Sequence, residues 1–563
     1  MYIVFEGIDG SGKTTLSTKL AGLLREQGID VVHTREMGKY SSRVAQSIRE
    51  VGRDPQNLRL SPIAEMMLGM AREAQVMEED VRPALGRGAH VITDRSVLSW
   101  IALSADGRGV DRAAAEKCAE AVTQGLRPDL VVVCDVDIRT SRRRKRLQKI
   151  ADHRVGEMSR KGLSGLALRE SQRRSFLAMA AADPSRWVVV DATNWTIDQE
   201  MAVVVEAVGK LLERSLSWSA APAAAPMAPP ELSADVARAA NAETLLGAFW
   251  DLIERNTGAD PAFAAFLVAG FDDERADRLR EQLCEKHAAL VAWGLSGCRT
   301  SASIAMRERL FGRETDYVVR SVAGMDDEWT WALRQRTVEE APRATAASLR
   351  GLTSPRAFEM RRTIGKEART DVLGSLSRLD LSEAWELRRK HGKKDLLGLG
   401  KSLAWLDTEE AWAMRDERLK DYPLGLIPSL GGLPGDRAMR QRDAVLRFAP
   451  RLVLGSLRGI GTPESFAMRD RVPHMVKELL DSIHGLDAEP AWRLRTQHAD
   501  AWPHTSIRSL GATLARLPRG ADFLWPLLGR NRADLHVLKV AALVLSRPVA
   551  EEESGDMEVE LPT

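Results

Sequence analysis

Short apolar runs rich in β-branched residues alternate with helical patterns over roughly the first 213 residues of the chain. A continuously apolar strand that feeds a helix is typical of a parallel sheet covered on both faces. The pattern therefore predicts an α/β domain over residues 1–213. Its predicted strands are Tyr2–Phe5, Val31–Thr34, His90–Thr93, Leu130–Cys134 and Trp187–Val190.

A different pattern follows a stretch dominated by Ala and Pro, which we interpret as a semi-stiff linker over residues 214–240. Beyond it, an arginine and a serine each recur with a step of 27 residues, interrupted by one single-residue deletion. The arginine stands at positions 280, 307, 334, 361, 388, 415, 442, 469 and 495. The serine stands at positions 321, 348, 375, 402, 429, 456, 482 and 509.

Each 27-residue unit has the pattern of two short helices. The segments Asp380–Glu383 and Asp407–Glu410 resemble capping boxes that would begin the first helix, and Leu396–Leu406 carries the apolar run of the second. Neither helix can bury its apolar stripe alone, so neighbouring units must stack. We predict an all-α solenoid of about ten two-helix repeats over residues 241–547, followed by an acidic tail over 548–563.

The recurring arginine allows two interpretations. Trp385 and Arg388 stand three residues apart and share a helix face, and the same spacing recurs in other units. In the first interpretation the aromatics fill the core between repeats and the arginines bond neighbouring carboxylates or carbonyls. In the second, the arginines line one surface and bind an acidic protein or a nucleic acid. Glu383 and Glu410 nearby keep the charge mixed, which weakens the nucleic-acid version.

The amino-acid composition excludes few classes of function. The chain has 81 basic and 79 acidic residues, so a basic footprint for nucleic acid would have to be local. The four cysteines lack paired spacing, and we expect free buried thiols. No segment has the length and hydrophobicity of a membrane span, and the start of the chain lacks a signal-peptide pattern, so a cytoplasmic protein is expected.

The turn after the first predicted strand carries the strongest chemical signal. Gly7–Thr14 satisfies G-x-x-x-x-G-K-[ST] between an apolar strand and a helical pattern. Such a turn points several backbone N–H groups and a helix N-terminus at phosphate oxygens, and it predicts an ATP and Mg²⁺ site. The expected binding residues are Gly7, Asp9, Gly10, Ser11, Gly12, Lys13, Thr14 and Thr15.

Further segments resemble one family in the same order. Phe5–Thr15, Thr34–Gly38, Asp94-Arg95, Gly107–Asp111 and Arg127–Leu130 are similar to successive motifs of thymidylate kinases, over roughly residues 1–213 only. The resemblance implies an α/β P-loop kinase, to which the all-α solenoid is appended. It also implies ATP, Mg²⁺ and a nucleoside monophosphate acceptor as ligands, and it suggests a homodimer.

The resemblance implies roles for single residues as well. Lys13, Arg35, Asp94 and Arg95 would be catalytic, the two arginines by holding the acceptor phosphate. The residues near Mg²⁺ would be Thr14, Asp9 and Asp94. The family also places a basic lid residue on the transferred phosphate, and the candidates in this chain are Arg142, Arg146 and Arg154.

The base pocket departs from the family pattern. Gly69 stands where an aromatic residue stacks on thymine, and Glu73 where an arginine reads the base edge. Arg72 is one position away and is expected to point about 100° around the helix. Three explanations stay open: an acceptor other than dTMP, a pocket repaired by other residues, or nucleotide binding without transfer.

Two functions therefore compete. The first is an ATP-dependent kinase that phosphorylates dTMP or a related monophosphate, with a solenoid that binds a protein partner. The second is an ATP-binding switch or scaffold, in which a degenerate kinase domain controls the interactions of the repeats.

Overall fold

The computed structural model describes residues 1–36, 40–218 and 231–546. The predicted acidic tail, residues 219–230 of the predicted linker and the segment Met37–Lys39 lie outside these ranges. The chain divides into two units. The first comprises Met1–Gln148 and Gly156–Met227, and the second comprises Lys149–Val155 and Ala228–Thr563.

The first unit contains a five-stranded parallel sheet in the order β2-β3-β1-β4-β5. The strands agree with the predicted runs to within one residue at each end. They are β1 (Tyr2–Glu6), β2 (Val31–His33), β3 (His90–Asp94), β4 (Leu130–Asp135) and β5 (Trp187–Asp191). In the register of the central strand, Phe5 is the partner of both Asp94 in β3 and Val132 in β4.

Both faces of the sheet are covered, as the apolar runs predict. Ile3 and Phe5 pack in one cluster with residues of the helices Lys13–Glu26 and Ile197–Leu211. Tyr2 and Val4 pack on the opposite face with Val76, Val81 and Ala84. Successive side chains of a strand point to opposite faces, so an uninterrupted apolar strand can supply both cores.

Nine α-helices with bounds in the described ranges accompany the sheet: Lys13–Glu26, Arg43–Arg53, Pro62–Val76, Arg82–Gly86, Val97–Ile101, Arg112–Thr123, Ile138–Ala151, Ala167–Ala182 and Ile197–Leu211. Two π-helical segments, Met77–Val81 and Ala102–Asp106, and a 3₁₀ turn at Gly162–Ser164 complete the unit.

The second unit is helical. From Glu274 to Ser482 longer and shorter helices alternate, when the π-helical segment Arg415–Leu419 is counted with Glu409–Met414, which confirms the two-helix repeat. The α-helices are Ala234–Ala239, Ala242–Asn256, Pro261–Leu267, Glu274–Leu283, Ala288–Gly294, Ser301–Leu310, Thr315–Arg320, Glu328–Thr337, Pro342–Ser348, Pro355–Thr363, Arg369–Gly374, Ser382–His391, Leu396–Leu403, Glu409–Met414, Pro423–Ser429, Asp436–Leu446, Pro450–Ser456, Pro463–Asp470, Val476–Ser482, Glu489–His498, Pro503–Arg516, Pro518–Arg530 and Leu535–Ser546. A 3₁₀ turn at Lys366–Ala368 and a π-helical segment at Arg415–Leu419 join them. Across the residues that can be placed, no helix is long and apolar enough to cross a membrane.

The periodic arginines form a buried ladder through the solenoid. All nine are at most 1% exposed, and each donates to the carbonyl oxygen twelve residues earlier. Arg415 shows the full set: its Nη2 lies 2.8 Å from the oxygen of Leu403, 2.9 Å from that of Leu406 and 2.8 Å from that of Ser429. The guanidinium thus ties the turn before its own helix to the end of the helix after it.

The periodic serine takes part in the same hydrogen-bond network as the arginine. In most repeats the arginine Nε donates to the serine hydroxyl, as Arg442 does to Ser456 over 2.9 Å. The hydroxyl in turn donates to the carbonyl oxygen three residues earlier, as Ser456 does to Val453 over 2.8 Å. A hydroxyl can accept and donate at once, so both groups are satisfied without water.

This arrangement decides between the two interpretations of the arginines. The prediction of a surface ladder is wrong, because a guanidinium with its donors on internal carbonyls is not available to a partner. The core interpretation is confirmed for the carbonyl bonds. Burial lowers the pKa of eight of these arginines to about 10, which still leaves them protonated at neutral pH.

The aromatic residue of the repeat packs over the ladder and is held by an acid five residues earlier. The ring of Trp385 lies 4.5 Å from the guanidinium carbon of Arg388, and its Nε1 donates to Asp380 over 2.7 Å. The prediction that Asp380–Glu383 caps a helix is therefore wrong, since Asp380 serves the indole and the helix begins without a side-chain cap. Thr408 does cap its helix, by accepting from the backbone N of Ala411.

One turn position in each repeat requires a left-handed backbone. Seven of nine equivalent positions are glycines with φ between 70° and 88°, at 270, 297, 324, 351, 432, 459 and 485. The other two are Arg378, with φ 66°, and Trp405, with φ 70°. A left-handed conformation costs a side-chain-bearing residue about 1–2 kcal/mol. The two exceptions are adjacent in the array, and Arg378 lies 4.2 Å over the ring of Trp405, which is 43% exposed.

The ladder predicts a large stability loss from a single truncation. Arg415→Ala leaves three carbonyl oxygens without their donor, so we expect the free energy of unfolding to fall by about 3 kcal/mol. The measurement is urea unfolding followed by the helical circular dichroism signal.

Arg437→Ala is the matched control, because Arg437 stacks on the same ring of Trp412 as Arg415 but lies on the surface, paired with Asp416. Its loss should cost less than about 1 kcal/mol. Equal effects of the two substitutions would contradict a structural ladder.

Candidate active site

The Gly7–Thr14 turn wraps between β1 and the helix Lys13–Glu26, and its glycines are required where the backbone is crowded. Gly7 has φ 137°, and a Cβ there would lie 2.5 Å from the carbonyl oxygen of Cys134 in β4. Gly10 has φ 84°, and a Cβ would lie 2.6 Å from the carbonyl oxygen of Ser141. Left-handed backbone and close approach both exclude side chains. The glycines at these two crowded positions are those that the P-loop pattern requires.

Lys13 folds back over this turn. Its Nζ donates to the carbonyl oxygen of Ile8 over 2.7 Å and to the hydroxyl of Ser11 over 3.3 Å. Burial, helped by the charge of Arg95, lowers its pKa to about 8. A polyanion that enters the turn would stabilise this buried ammonium group, so Lys13 is suited to bind phosphate.

Thr14 and Asp94 meet where β1 and β3 end. The hydroxyl of Thr14 donates to Oδ2 of Asp94 over 2.5 Å, and Arg35 approaches the same oxygen at 3.6 Å. Oδ1 of Asp94 is buried and has no hydrogen-bond partner. Burial alone would raise the pKa of Asp94, but Lys13, Arg35 and Arg95 outweigh it and lower the pKa, so the group stays anionic.

This pair fits a magnesium ion. A buried carboxylate oxygen without a partner beside a threonine hydroxyl offers two of the hard oxygen ligands that Mg²⁺ prefers, with the remaining positions left for phosphate and water. No group of three or more His, Cys, Asp or Glu side chains suited to a metal occurs among the residues that the structure describes. Mg²⁺ commonly needs only one or two carboxylates from the protein beside substrate phosphates.

Arg95 is held in a strained backbone and a dense set of bonds. It has φ 82°, unusual for a residue with a side chain, and its N donates to the oxygen of Phe5 over 3.0 Å. Its guanidinium donates to Asp9 over 2.6 Å, to the oxygen of Gly7 over 3.1 Å and to Ser99 over 3.0 Å. The left-handed backbone aims the side chain back across the P-loop. Such strain is typical of functional positions.

Asp9 lies among cations. Lys161 first, then Arg95, Arg169 and Lys13, hold the pKa of Asp9 well below its usual range despite burial. Burial lowers the pKa of Lys161 to about 8. The sequence did not indicate Lys161, because an isolated lysine belongs to no recognisable pattern. The basic run at 142–146 predicted the lid residues instead.

The neighbour of Lys161 fixes the segment that carries it. Arg160 pairs with the buried Glu65 on the helix Pro62–Val76. Its Nε donates to the oxygen of Gly52 over 3.1 Å, and its backbone N to the oxygen of Arg53 over 3.1 Å. Lys161 is thereby presented from an anchored turn. Of the predicted lid residues, Arg142 and Arg146 lie half-buried on the helix Ile138–Ala151, and Arg154 is exposed beyond its end. Their roles stay predictions.

The three candidates for the base pocket lie together, and one is oriented differently from the prediction. Arg72 does not turn away: it is buried, and it donates to Oε1 of Glu73 through Nε, at 3.1 Å, and through Nη2. A Cβ on Gly69 would lie 2.1 Å from the ring of Trp100. The arginine side chain is long enough to curl back along the helix, which a count of 100° per residue does not consider.

The parallel sheet, the glycine-rich turn with Lys13 and the cluster at the carboxyl ends of β1 and β3 define a P-loop phosphotransferase. A family model for thymidylate kinase matches residues 5–201. The chain belongs to the thymidylate kinase family, and the helical repeats lie beyond the matched region.

Three curated relatives show the same partial coverage. A thymidylate kinase from Trichlorobacter lovleyi is 39% identical over 193 residues, which is 34% of this chain and 90% of the relative. One from Pelobacter propionicus is 34% identical over 36% of this chain and 92% of its own length. One from Pseudomonas fluorescens is 37% identical over 38% of this chain and 94% of its own length.

The low pKa of Lys13 predicts how phosphate binding changes with pH. Only the ammonium form attracts a triphosphate, and that form is lost from the free protein as the pH rises through about 8. We expect the affinity for ATP with Mg²⁺ to fall about five- to tenfold between pH 7 and pH 9, as measured by calorimetry.

Lys161→Met and Lys13→Met separate the two lysines that titrate near pH 8. Lys13→Met should bind weakly at both pH values, whereas Lys161→Met should keep the fall. An undiminished pH dependence in Lys13→Met would contradict the assignment.

Proposed function

We propose that the chain is an ATP-dependent nucleoside monophosphate kinase acting on dTMP or a related nucleotide. The observation that carries the proposal is the meeting of Lys13 and Thr14 with Asp94 and Arg95 at one edge of the sheet. The thymidylate kinase relatives support it, because this chain covers 90% or more of their length. The domain boundaries that go with this function are 1–213 for the kinase and 241–547 for the solenoid.

The donor nucleotide occupies the P-loop in this proposal. The backbone N–H groups of residues 10–15 hold the phosphates of ATP, and Lys13 turns from Ile8 and Ser11 toward the β- and γ-phosphates. Thr14 and Asp94 would hold Mg²⁺, and the resemblance to the family implies that Asp9 would lie near it. The ion supplies charge neutralisation between the phosphates when it is bound.

The acceptor phosphate lies opposite, toward Arg35 and Arg95. Its oxygen is already anionic at neutral pH, so the reaction needs no general base. The bond from the γ-phosphorus to the β–γ bridging oxygen breaks as a bond to the acceptor oxygen forms, and ADP leaves. What the protein must provide is alignment and the cancellation of repulsion between two polyanions.

Asp9 and Lys161 complete this arrangement. Asp9 holds Arg95 through a 2.6 Å bond, so the guanidinium faces the space between the two nucleotides. Lys161 adds a positive charge from the anchored turn on the same side, where a lid cation would act on the transferred phosphate. We assign this role to Lys161 beside the candidates Arg142, Arg146 and Arg154.

The solenoid is proposed to bind a protein partner. The ladder arginines are bonded inside the array, so other side chains must recognise a partner. Arg378 and Trp405 are the candidates with the most structural support. Both bear side chains where seven equivalent positions are glycine, and the indole remains 43% exposed beneath a guanidinium. Such a pair fits an acidic segment with an apolar neighbour. A homodimer through the kinase unit stays a prediction, which light scattering can check.

The kinase proposal predicts ADP and a nucleoside diphosphate as joint products. Purified full-length protein is incubated with ATP, Mg²⁺ and each common monophosphate, and the products are separated by ion-exchange chromatography. Lys13→Met should reduce the rate at least about 10³-fold, because the loop loses its charge on the transferred phosphate.

Lys19→Met is the matched control, since Lys19 lies on the same helix but is exposed outside the loop, and its rate should match the parent. Nucleotide binding without transfer to any monophosphate would favour the alternative function, an ATP-binding switch that controls the repeats.

The partner proposal predicts a selective loss of binding. Trp405→Gly keeps the left-handed turn but removes the indole, whereas Trp329→Ala removes a solenoid tryptophan bonded to Glu308. A protein captured by the tagged parent should be lost at least about tenfold with Trp405→Gly and kept with Trp329→Ala. Its purified form should then repeat this difference in calorimetry. Equal capture by both variants would reject the site.

A further inference from the structure

The turns that follow the shorter helices of the solenoid lie side by side along one edge of the array. The backbone N of Gly324 donates to the oxygen of Ser348, in the next repeat, over 3.4 Å. The N of Gly485 donates in the same way to the oxygen of Ser509 over 2.9 Å. Each bond joins a turn to the end of the next shorter helix, so these ends are aligned. We call the positions two and three residues after each periodic serine the turn edge.

The turn edge carries positive charge and no acidic residue. Its sixteen positions, two after each of the eight periodic serines, include Arg350, Arg378 and Arg458 but no Asp or Glu. The guanidinium carbon of Arg378 lies 4.2 Å from the ring centre of Trp405, which also stands on this edge and is 43% exposed. An anionic segment along the turn edge would therefore meet cations and, beside one of them, an apolar ring.

The last described helix, Leu535–Ser546, ends beside the turn edge. Nη2 of Arg516 donates to the oxygen of Leu545 over 2.6 Å. Nη1 of the same guanidinium donates over 2.7 Å to the oxygen of Ala512, which belongs to the turn edge. One arginine thus joins the end of this helix to the edge, and the acidic tail follows in the sequence directly after this point.

The sequence of the tail is complementary to the turn edge. Residues 548–563 include six acidic residues and no basic one: Glu551, Glu552, Glu553, Asp556, Glu558 and Glu560. From Asp556 onward the acids alternate with Met557, Val559 and Leu561. Successive side chains of an extended segment point to opposite sides. A bound, extended tail would therefore offer carboxylates on one side and apolar groups on the other, which matches Arg378 beside Trp405.

The tail is long enough to reach Trp405. Five steps between packed helices lead from Leu535–Ser546 to Leu396–Leu403, which Trp405 follows; the intervening helices are Pro503–Arg516, Val476–Ser482, Pro450–Ser456 and Pro423–Ser429. Helix axes packed 8–10 Å apart give a path of about 40–50 Å. Residues 547–561 span about 50 Å when fully extended. Arg458 follows the third helix on this path, at about 24–30 Å, so the first acids of the tail can reach it.

We propose that residues 548–563 bind along the turn edge of their own chain, with carboxylates at Arg458 and Arg378 and an apolar side chain against Trp405. This inference rests on the proposed function for the choice of surface, and it adds regulation to the site at which a protein partner is proposed to bind. A segment attached so close to its site has an effective concentration of about a millimolar, so a weak intrinsic affinity suffices. A protein partner must then displace the tail.

The first test is calorimetry with a synthetic peptide of residues 547–563 as the probe and two full-length chains, the parent and a tail-neutral variant. The tail-neutral variant carries Glu551→Gln, Glu552→Gln, Glu553→Gln, Asp556→Asn, Glu558→Gln and Glu560→Gln. It should bind the peptide at least about tenfold more tightly than the parent, because the parent's own tail competes at an effective concentration of about a millimolar. Equal binding by the two chains, or binding by neither, overturns the proposal.

Further substitutions in the tail-neutral variant locate the site. Arg458→Gln and Arg378→Gln should each weaken peptide binding about two- to fivefold, and Trp405→Gly should weaken it about tenfold. Arg362→Gln is the matched control, since Arg362 is exposed on a longer helix and paired with Glu386 over 3.1 Å, and it should leave the affinity unchanged. The helical circular dichroism signal checks that each variant stays folded. Peptide binding that none of the three turn-edge substitutions weakens more than Arg362→Gln does overturns the proposal.

The salt dependence of peptide binding tests the electrostatic part. Raising NaCl from 0.1 M to 1 M shortens the screening length from about 10 Å to about 3 Å. The affinity of the tail-neutral variant for the peptide should therefore fall at least about tenfold. An affinity that salt leaves unchanged contradicts docking through carboxylates and arginines.

Other occupants of the turn edge give different results, and each of them overturns the proposal. A mass that grows with protein concentration in light scattering, and that the tail-neutral variant does not show, assigns the edge to the tail of a second copy. Tighter binding of a single-stranded oligothymidylate than of the peptide assigns it to nucleic acid. The partner proposal fails separately: peptide binding with no captured protein rejects the partner alone, whereas capture that depends on Trp405 without peptide binding rejects the tail alone.

Discussion

A buried guanidinium needs acceptors for most of its N–H groups, because it stays charged and cannot accept a bond itself. This requirement shapes both units of the chain. In the solenoid, nine arginines bond carbonyl oxygens from consecutive turns and thereby fix the spacing of the helices. In the kinase unit, Arg95 meets the same requirement with a carbonyl, a hydroxyl and a carboxylate. The difference between the two uses lies in the acceptors.

Carbonyl oxygens of helix ends are fixed dipoles, so an arginine that is bonded to them stays in place. The ladder arginines therefore act as permanent ties between repeats. The acceptors of Arg95 include Asp9, a carboxylate surrounded by Lys161, Arg169 and Lys13, so its charge is shared among several cations. A phosphate that enters such a cluster relieves repulsion among the cations. The same side chain is thus structural in one unit and suited to ligand binding in the other.

The sequence was most informative where one local rule determines the structure. The five apolar runs predict the strands to within one residue, and the P-loop pattern predicts the turn, because each needs only neighbouring residues. The step of 27 predicts stacking helix pairs. It does not say which face carries the arginines, since a period is the same for a buried and an exposed residue. That answer depends on carbonyls twelve and nine residues away in the folded array.

In the candidate active site, too, local sequence rules predict only some of the residues. Asp94 and Arg95 are found by motif, but Lys161 acts on Asp9 from a segment that has no sequence motif. Taken alone, Gly69 indicates only that a side chain is missing. The structure shows that the ring of Trp100 fills the space beside it. In the sequence, Arg72 stands one position away from the expected arginine, and Glu73 occupies that place. The structure shows that the two side chains are bonded to each other. Each departure has a partner elsewhere in the fold, and a single position therefore gives a misleading account of the pocket.

The first rung of the ladder shows why the arginine and the serine repeat together. At Arg280 the position fourteen residues on is Gly294, and Nε of Arg280 is buried without an acceptor in the described part of the chain. Asp277 and Cys298 supply partners to the other nitrogens instead. Seven of the eight other rungs bond the serine hydroxyl through Nε, and at Arg388 Nε has no partner in the described part of the chain although Ser402 stands fourteen residues on. The serine therefore satisfies the Nε–H group in most rungs, and losing it there would leave that group buried without an acceptor.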